Sequence, residues 1–214
     1  EFRTVNVEGT RALLDAAERA GASRFVQVSS PSVAHTGSAL AGVGAEPASP
    51  VHARGEYART KAEAELIALD RDSDAMRVVA VRPHLVWGPG DTQLVGRILD
   101  RARRGRLPLL GGGRALIDST YIDNAATGIV AALHRAHSAH GRAFVITNGE
   151  PRPVGELLAG ICLAPGAQPP RGSIPAGIAR AAGTLIQRAW ALRGGEDEPP
   201  MTRMLAGQLS TALW

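Results

Sequence analysis

Arg77-Val78-Val79-Ala80-Val81-Arg82-Pro83 sets four apolar residues in unbroken succession between two arginines and closes with a proline. A strand with one wet face would alternate; a continuous, β-branched run is buried on both faces, as inside a parallel sheet. Upstream, Arg24-Phe25-Val26-Gln27-Val28 is a second β-rich run, ending in Ser29-Ser30. Between the two runs, residues 56–70 carry Ala58, Ala62, Leu66 and Leu69 on one face of a helix. Residues 3–20 form an earlier amphipathic helix through Val5, Leu13, Leu14 and Ala17, stopped by Gly21. Downstream, 92–104 and 123–137 read as helices, Leu107 to Ile117 as a glycine-broken strand pair, and Ala143 to Thr147 as another buried strand. Beyond Pro153 the pattern is wholly helical, with Pro-rich breaks at 169–170 and 199–200. Strands alternating with helices predict an α/β fold around a parallel sheet, and the helical tail predicts a smaller lobe beside it.

Composition narrows the function classes. The chain has 214 residues, 44% hydrophobic and 21% charged, so it can bury a core and is not a disordered polymer. Its single cysteine, Cys162, excludes a disulfide framework and a cysteine zinc cage, fits a reducing, cytoplasmic setting, and falls on an apolar helix pattern that places it in the core. No apolar run reaches the roughly 18 residues that a membrane span needs. The net charge of +4 points weakly to nucleic acid, but all basic residues except Lys61 are arginines. In so Ala- and Gly-rich a chain this reads as base composition, and the Arg97–Arg106 run is a solvated helix face, not a nucleic-acid site. His134, His137 and His140 approach metal-ligand spacing, but the third lies past a helix end, and we assign no metal.

Tyr57-Ala58-Arg59-Thr60-Lys61 places a phenol and an ammonium four residues apart, on one helical face. A phenol ordinarily titrates near 10, so at neutral pH it is a poor base, and a fixed cation beside it favours the phenolate. Such a pair can exchange a proton with an alcohol or carbonyl oxygen while hydride moves at the same carbon. The plainer alternative is an aromatic and a cation that merely share a surface. Ser29 and Ser30 weigh against that alternative, because polar residues at the carboxyl ends of parallel strands line the ligand crevice of open α/β sheets. A hydroxyl there can stabilise charge on a reacting oxygen.

Five segments, in order, resemble the extended short-chain dehydrogenase/reductases, which include NAD-dependent sugar-nucleotide epimerases and 3β-hydroxysteroid dehydrogenases. They are Asn6-Val7-Glu8-Gly9-Thr10, Val28-Ser29-Ser30-Pro31-Ser32-Val33, Tyr57-Ala58-Arg59-Thr60-Lys61, Arg82-Pro83-His84-Leu85-Val86-Trp87-Gly88-Pro89, and Tyr121-Ile122-Asp123-Asn124-Ala125. The resemblance implies the C-terminal part of a Rossmann-type doubly wound parallel sheet with a small, mostly helical substrate lobe. It implies an NAD(P)-binding domain over 1–87 and 119–150, and a substrate lobe over 88–118 and 151–214. Tyr57 is implied as the acid/base, Lys61 as the cation that eases its ionisation and holds the nicotinamide ribose, and Ser30 as the group that orients the substrate oxygen. Asn6, Ser29, Pro83, His84 and Leu85 are implied to lie along the NAD or NADP cofactor. A homodimer through the helices at 3–20 and 56–70 is a further implication.

Departures from the family pattern select a branch. Sugar-nucleotide members carry an Asn where this chain has Leu85, and an Arg before the Tyr121 segment where it has Ile117. With both polar anchors aliphatic, a diphosphate would be held poorly and an apolar alcohol or ketone well. Pro31-Ser32 cannot supply a dehydratase acid and base. Glu198-Pro199-Pro200-Met201-Thr202-Arg203 is similar to the 3β-hydroxysteroid-dehydrogenase-like branch. The reading is therefore a hydride-transferring oxidoreductase; the alternatives are a nucleoside-diphosphate-sugar 4-epimerase and a non-catalytic cofactor-binding relative. Ile174, Ile178, Leu185, Ile186 and Ala189 form a stripe on an expected helix over 174–192, which could serve as a pocket lid, lobe core or membrane-surface helix.

The family's glycine-rich phosphate turn has no counterpart. Gly111-Gly112-Gly113 continues into a strand pattern and offers no helix N-terminus to a pyrophosphate. The expectation is that the turn, and the residue choosing NAD over NADP, lie upstream of Glu1, that both ends are cut, and that this polypeptide alone cannot hold the dinucleotide.

Overall fold

The computed structural model describes residues 1–35, 42–179, 181–183 and 186. The chain divides into two compact units, one of residues 1–38, 42–86 and 119–149, the other of 39–41, 87–118 and 150–214.

The first unit is built on a parallel sheet. Strand β1 (Arg24–Val28) pairs with β2 (Arg77–Pro83), which pairs with the Arg142–Ile146 strand. Phe25 stands opposite Val78 and Val26 opposite Val79, while Val81 stands opposite Phe144. Side chains alternate across a sheet, so β2 serves two cores at once. Val78 joins Leu14, Ala68 and Met76 under helices α1 (Gly9–Arg19) and α2 (Glu56–Asp70). Val79 and Val81 join Ala136, Ile129 and Ala132 under the Ile122–His134 and Ala136–Ala139 helices. Both faces are thus covered, which explains the unbroken apolar run Val78–Val81.

Four sequence expectations need correction. The helix expected over 3–20 opens with a π-helical turn, Thr4–Glu8, in which the Gly9 N–H reaches back to the Thr4 carbonyl. The helix expected over 92–104 runs Val95–Arg103, because the Asp91 carboxylate accepts the N–H groups of Gln93, Leu94 and Val95 and so ends the preceding turn. Leu107 to Ile117 is not a strand pair. Leu109–Leu110 pairs with Ser173–Ile174, and Leu116–Ile117 pairs with Arg152–Pro153. Gly111, Gly112 and Gly113 all take positive φ (57°, 74° and 67°), and a Cβ on Gly113 would stand 2.8 Å from the Gly155 Cα, so three glycines redirect the chain where a hairpin was expected. Nor is the region after Pro153 wholly helical: the Val154–Leu163 helix, in which Cys162 is buried, gives way to the Ser173–Ile174 strand.

Of the stripe expected over 174–192, Ile174 is in that strand, Ile178 is exposed and Ile186 is half-buried in a helix; between them Ala179, not a member of the stripe, is buried against Ile174 and Leu110. Leu185, Ala189 and the Glu198–Arg203 motif lie outside the described residues. Among the described residues no helix is long and apolar enough to cross a membrane, and no cluster of His, Cys, Asp or Glu could hold a metal ion.

Candidate active site

Helix α2 begins after Gly55, whose φ of 92° lets the chain turn into the helix from the preceding loop. Tyr57 sits in its first turn, partly exposed, with its ring edge-to-face against Phe2 at a centroid distance of 5.8 Å. Lys61, one turn on, reaches off the helix and donates from Nζ to the Val28 carbonyl at 2.6 Å. Burial pushes the Lys61 ammonium below the usual lysine range, and the negative charge of Glu65 opposes that shift. The ammonium is therefore tied to the last residue of β1, directly before Ser29 and Ser30.

The two serines play different parts. Ser29 extends the sheet through its N–H, which donates to the Val81 carbonyl at 2.7 Å, while its buried hydroxyl meets no hydrogen-bond partner among the described residues. Ser30 caps a 3-10 turn, Pro31–Ala34; its Oγ accepts the Ser32 N–H at 3.3 Å and lies 2.9 Å from the Ser32 hydroxyl. Since β1 and β2 are parallel neighbours, Ser29 and Ser30 share one sheet end with Pro83 and His84.

That end is held tightly. Pro83 pairs with Ile146, and the next N–H, that of His84, donates to the Ile146 carbonyl at 2.9 Å. Leu85 adopts a φ of 31°, the one positive value among the described non-glycine residues. Backbone held in this region costs on the order of 1–3 kcal/mol and concentrates where ligands are clamped. Thr120 supplies the restraint: fully buried, it donates from Oγ1 to the carbonyls of His84 (2.5 Å) and Ile146 (3.0 Å), and from its N–H to that of Leu85 (3.2 Å).

Asn6 lies in the π-helical turn and donates to Thr60 Oγ1 at 3.0 Å, and that hydroxyl faces the carbonyls of Glu56 and Tyr57. The π turn thus brings Asn6 onto the turn of α2 between Tyr57 and Lys61. Two further features were missed in the sequence. Thr120 stands beside the recognised Tyr121 segment yet carries no signal of its own. Arg82 and Glu65 form a buried ion pair, 2% and 1% exposed, which joins β2 to α2 one turn past Lys61; Arg82 also donates to the Glu46 carbonyl at 2.7 Å.

Residues 1–147 match the model of the NAD dependent epimerase/dehydratase family. The chain belongs to that family. Over 218 residues, covering all of this chain and 66% of the relative, it is 40% identical to the 2-alkyl-3-oxoalkanoate reductase of Stenotrophomonas maltophilia. It is 32% identical to the mouse sterol-4-alpha-carboxylate 3-dehydrogenase, decarboxylating, over 81% of this chain and 50% of that protein. A plant relative, isoform 2 of the Arabidopsis thaliana 3beta-hydroxysteroid-dehydrogenase/decarboxylase, is 33% identical over 93% of this chain and 37% of its own length. These relatives place the family member on the 3β-hydroxysteroid-dehydrogenase-like side, and it spans less than two thirds of their length. Among solved structures, gox2253 superposes with a TM-score of 0.69 at 26% identity over 99% of this chain and 63% of that one. The DesIV double mutant, a dTDP-glucose 4,6-dehydratase from Streptomyces venezuelae with NAD and DAU bound, gives 0.63 at 25% identity over 81% of this chain and 54% of its own.

Proposed function

We propose that this family member is an oxidoreductase that moves a hydride between a nicotinamide cofactor, NAD or NADP, and the secondary alcohol or ketone of an apolar substrate. The observation that carries the reading is the Lys61 tether: bonded to the Val28 carbonyl, it holds α2, with Tyr57 a turn away, against the strand end that presents Ser29 and Ser30. On this reading an ammonium, a phenol and two hydroxyls serve one crevice at that strand end. The donor set fits the nicotinamide–ribose end of the cofactor, with Lys61 and the unpartnered Ser29 hydroxyl available to ribose and carboxamide groups, and the Asn6 and Leu85 turns flanking them. Bound there, the cofactor would supply or accept the hydride.

In the reducing direction Tyr57 gives its phenolic proton to the carbonyl oxygen as the carbon gains the hydride, and Lys61 balances the phenolate left behind. Ser30 donates a hydrogen bond to the same oxygen and holds it in line with Tyr57. The first unit would be the cofactor domain and the second the substrate lobe. The relatives named for 3-oxo acids and sterol carboxylates support a ketone or alcohol on an apolar skeleton. The aliphatic Leu85 and Ile117 argue against a sugar nucleotide. Exposed Val5, Leu13 and Leu66 on the outer side of the helical layer support a homodimer through α1 and α2.

The test is oxidation or reduction of the cofactor by the full-length protein, followed at 340 nm against apolar 3-hydroxy and 3-oxo compounds and against UDP-sugars. Tyr57→Phe should lower turnover by about 100-fold to 10,000-fold with cofactor affinity retained. A variant that keeps most of its rate would show that Tyr57 is not the acid/base.

A further inference from the structure

The 3-10 turn that follows β1 is pinned from several sides. Pro31 stands at its first position with φ already fixed by the ring. The Val33 and His35 N–H groups close the turn on the Ser30 and Ser32 carbonyls, both at 3.2 Å, and the Val33 carbonyl accepts the Ser49 N–H at 2.9 Å. Ser32, Val33 and Ala34 are buried. Ser32 is therefore held in place, and so are the two groups it turns toward Ser30: its N–H, 3.3 Å from the Ser30 Oγ, and its hydroxyl, 2.9 Å from it.

A hydroxyl has one proton to give and two lone pairs to fill. One lone pair of Ser30 takes the Ser32 N–H, a bond that runs in that direction alone. The contact between the two hydroxyls holds one proton, and burial decides whose it is. Ser32 is 7% exposed, and among the described residues Ser30 is the partner of its hydroxyl. A Ser32 proton aimed elsewhere would be a buried donor with nothing to bond, which costs the desolvation of that group. Ser30 is only half-buried, so its own proton can bond outside the turn, to water or to a ligand. With Ser32 as donor, both lone pairs of Ser30 are filled and its proton points away from Ser32. Hydrogen bonds in such a chain polarise one another, which strengthens Ser30 as a donor.

We infer that Ser32 is a positioning residue: its hydroxyl gives its proton to Ser30 Oγ and makes Ser30 a one-way donor toward the reacting oxygen. The inference rests on the proposed hydride-transfer reading for the identity of that oxygen and adds the residue that orients Ser30. The demand is the same in both directions of reaction. A ketone oxygen accepts as it gains negative charge, and an alcohol oxygen, its own proton directed to Tyr57, accepts as well. A Ser30 proton spent on Ser32 would leave that oxygen facing a lone pair.

Ser32→Ala deletes one oxygen and keeps every backbone bond of the turn, including the N–H to Ser30. In the full-length protein, with NADH or NADPH and a long-chain aliphatic ketone, it should lower kcat about fivefold to tenfold, the worth of one hydrogen bond, with KM nearly unchanged. In a Ser30→Ala background the same change should alter kcat by less than about twofold, because the group it acts through is gone. A second measurement needs no turnover: the infrared carbonyl band of the same ketone, carbon-13 labelled and bound beside the oxidised cofactor. The band should lie at lower frequency in the wild type than in Ser30→Ala, and Ser32→Ala should return it part of the way. A Ser32→Ala loss that persists undiminished in the Ser30→Ala background, or a band that Ser32→Ala leaves unmoved, would overturn the inference even with the ketone reduced at the normal rate. A band that responds to both serines while the ketone is never reduced would leave the role of Ser32 standing and refute the hydride-transfer reading instead.

Discussion

Replacing Glu65 by Leu tests how the site is held. Glu65 and Arg82 are buried to 1% and 2% exposure, and Arg82 donates to both carboxylate oxygens through Nε and Nη2. Glu65→Leu leaves a guanidinium in the core with, among the described residues, the Glu46 carbonyl as its remaining partner. Stranding one member of a buried pair costs about 3–5 kcal/mol, a large part of the roughly 5–15 kcal/mol that holds a domain together. With a urea slope of about 2 kcal/mol per molar, the midpoint should fall by about 1.5–2.5 M. Glu65→Leu/Arg82→Met removes both charges and should recover most of the loss, since an apolar pair of similar volume is often as stable as the ion pair it replaces. The assay is urea denaturation followed by circular dichroism on the wild type, both single variants and the double variant. A Glu65→Leu midpoint equal to that of the wild type, or a double variant less stable than either single one, would refute the claim that the pair is desolvated and mutually dependent. Glu65 also faces Lys61, so its removal withdraws the charge that offsets burial of the ammonium and lowers the Lys61 pKa further.

Further outcomes follow from the same geometry. Lys61→Met should lower turnover at least about 100-fold while leaving the thermal midpoint within a few degrees, because a half-buried ammonium costs desolvation that its one bond to Val28 only offsets. Thr120→Val takes the hydroxyl from the buried His84 carbonyl, and a second bond from the Ile146 carbonyl, which keeps the His84 N–H; it should cost about 1–3 kcal/mol and weaken cofactor binding, with Thr120→Ser restoring both by calorimetry. Asp91→Ala removes a carboxylate that accepts three backbone N–H groups at the start of the Val95–Arg103 helix, and should cost about 1 kcal/mol in thermal unfolding. For Asp72, burial raises the carboxyl pKa, but hydrogen bonds from His140 and the Val78 N–H outweigh it and the net shift is downward. Its folded pKa therefore lies below the unfolded value near 4, so the stability it contributes is full above that pH and is lost as pH falls through the folded value. Asp72→Asn should flatten the acid limb of the stability curve measured below about pH 4.

What could be read from the chain as written was whatever depends on local spacing. The unbroken Val78–Val81 run declared a strand covered on both faces, and the parallel sheet sandwiched between two helical layers agrees. The helical period alone puts Tyr57 and Lys61 on one face of α2, and a strand ending in Ser29-Ser30 announces hydroxyls at a sheet end. Two-residue strands are too short to show a period, so the partners of Leu109–Leu110 and Leu116–Ile117 emerged only when the three glycines turned the chain. Asn6 meets Thr60, Thr120 reaches His84 and Ile146, and Glu65 finds Arg82 across separations that sequence does not encode as contact. The same holds for burial: that the Ser29 and His35 polar atoms are buried with no hydrogen-bond partner among the described residues is a property of packing. Periodicity and covalent spacing are local and survive in the primary structure. Burial and the pairing of distant polar groups are decided by packing, because a side chain's electrostatic surroundings exist only once the chain has folded around it.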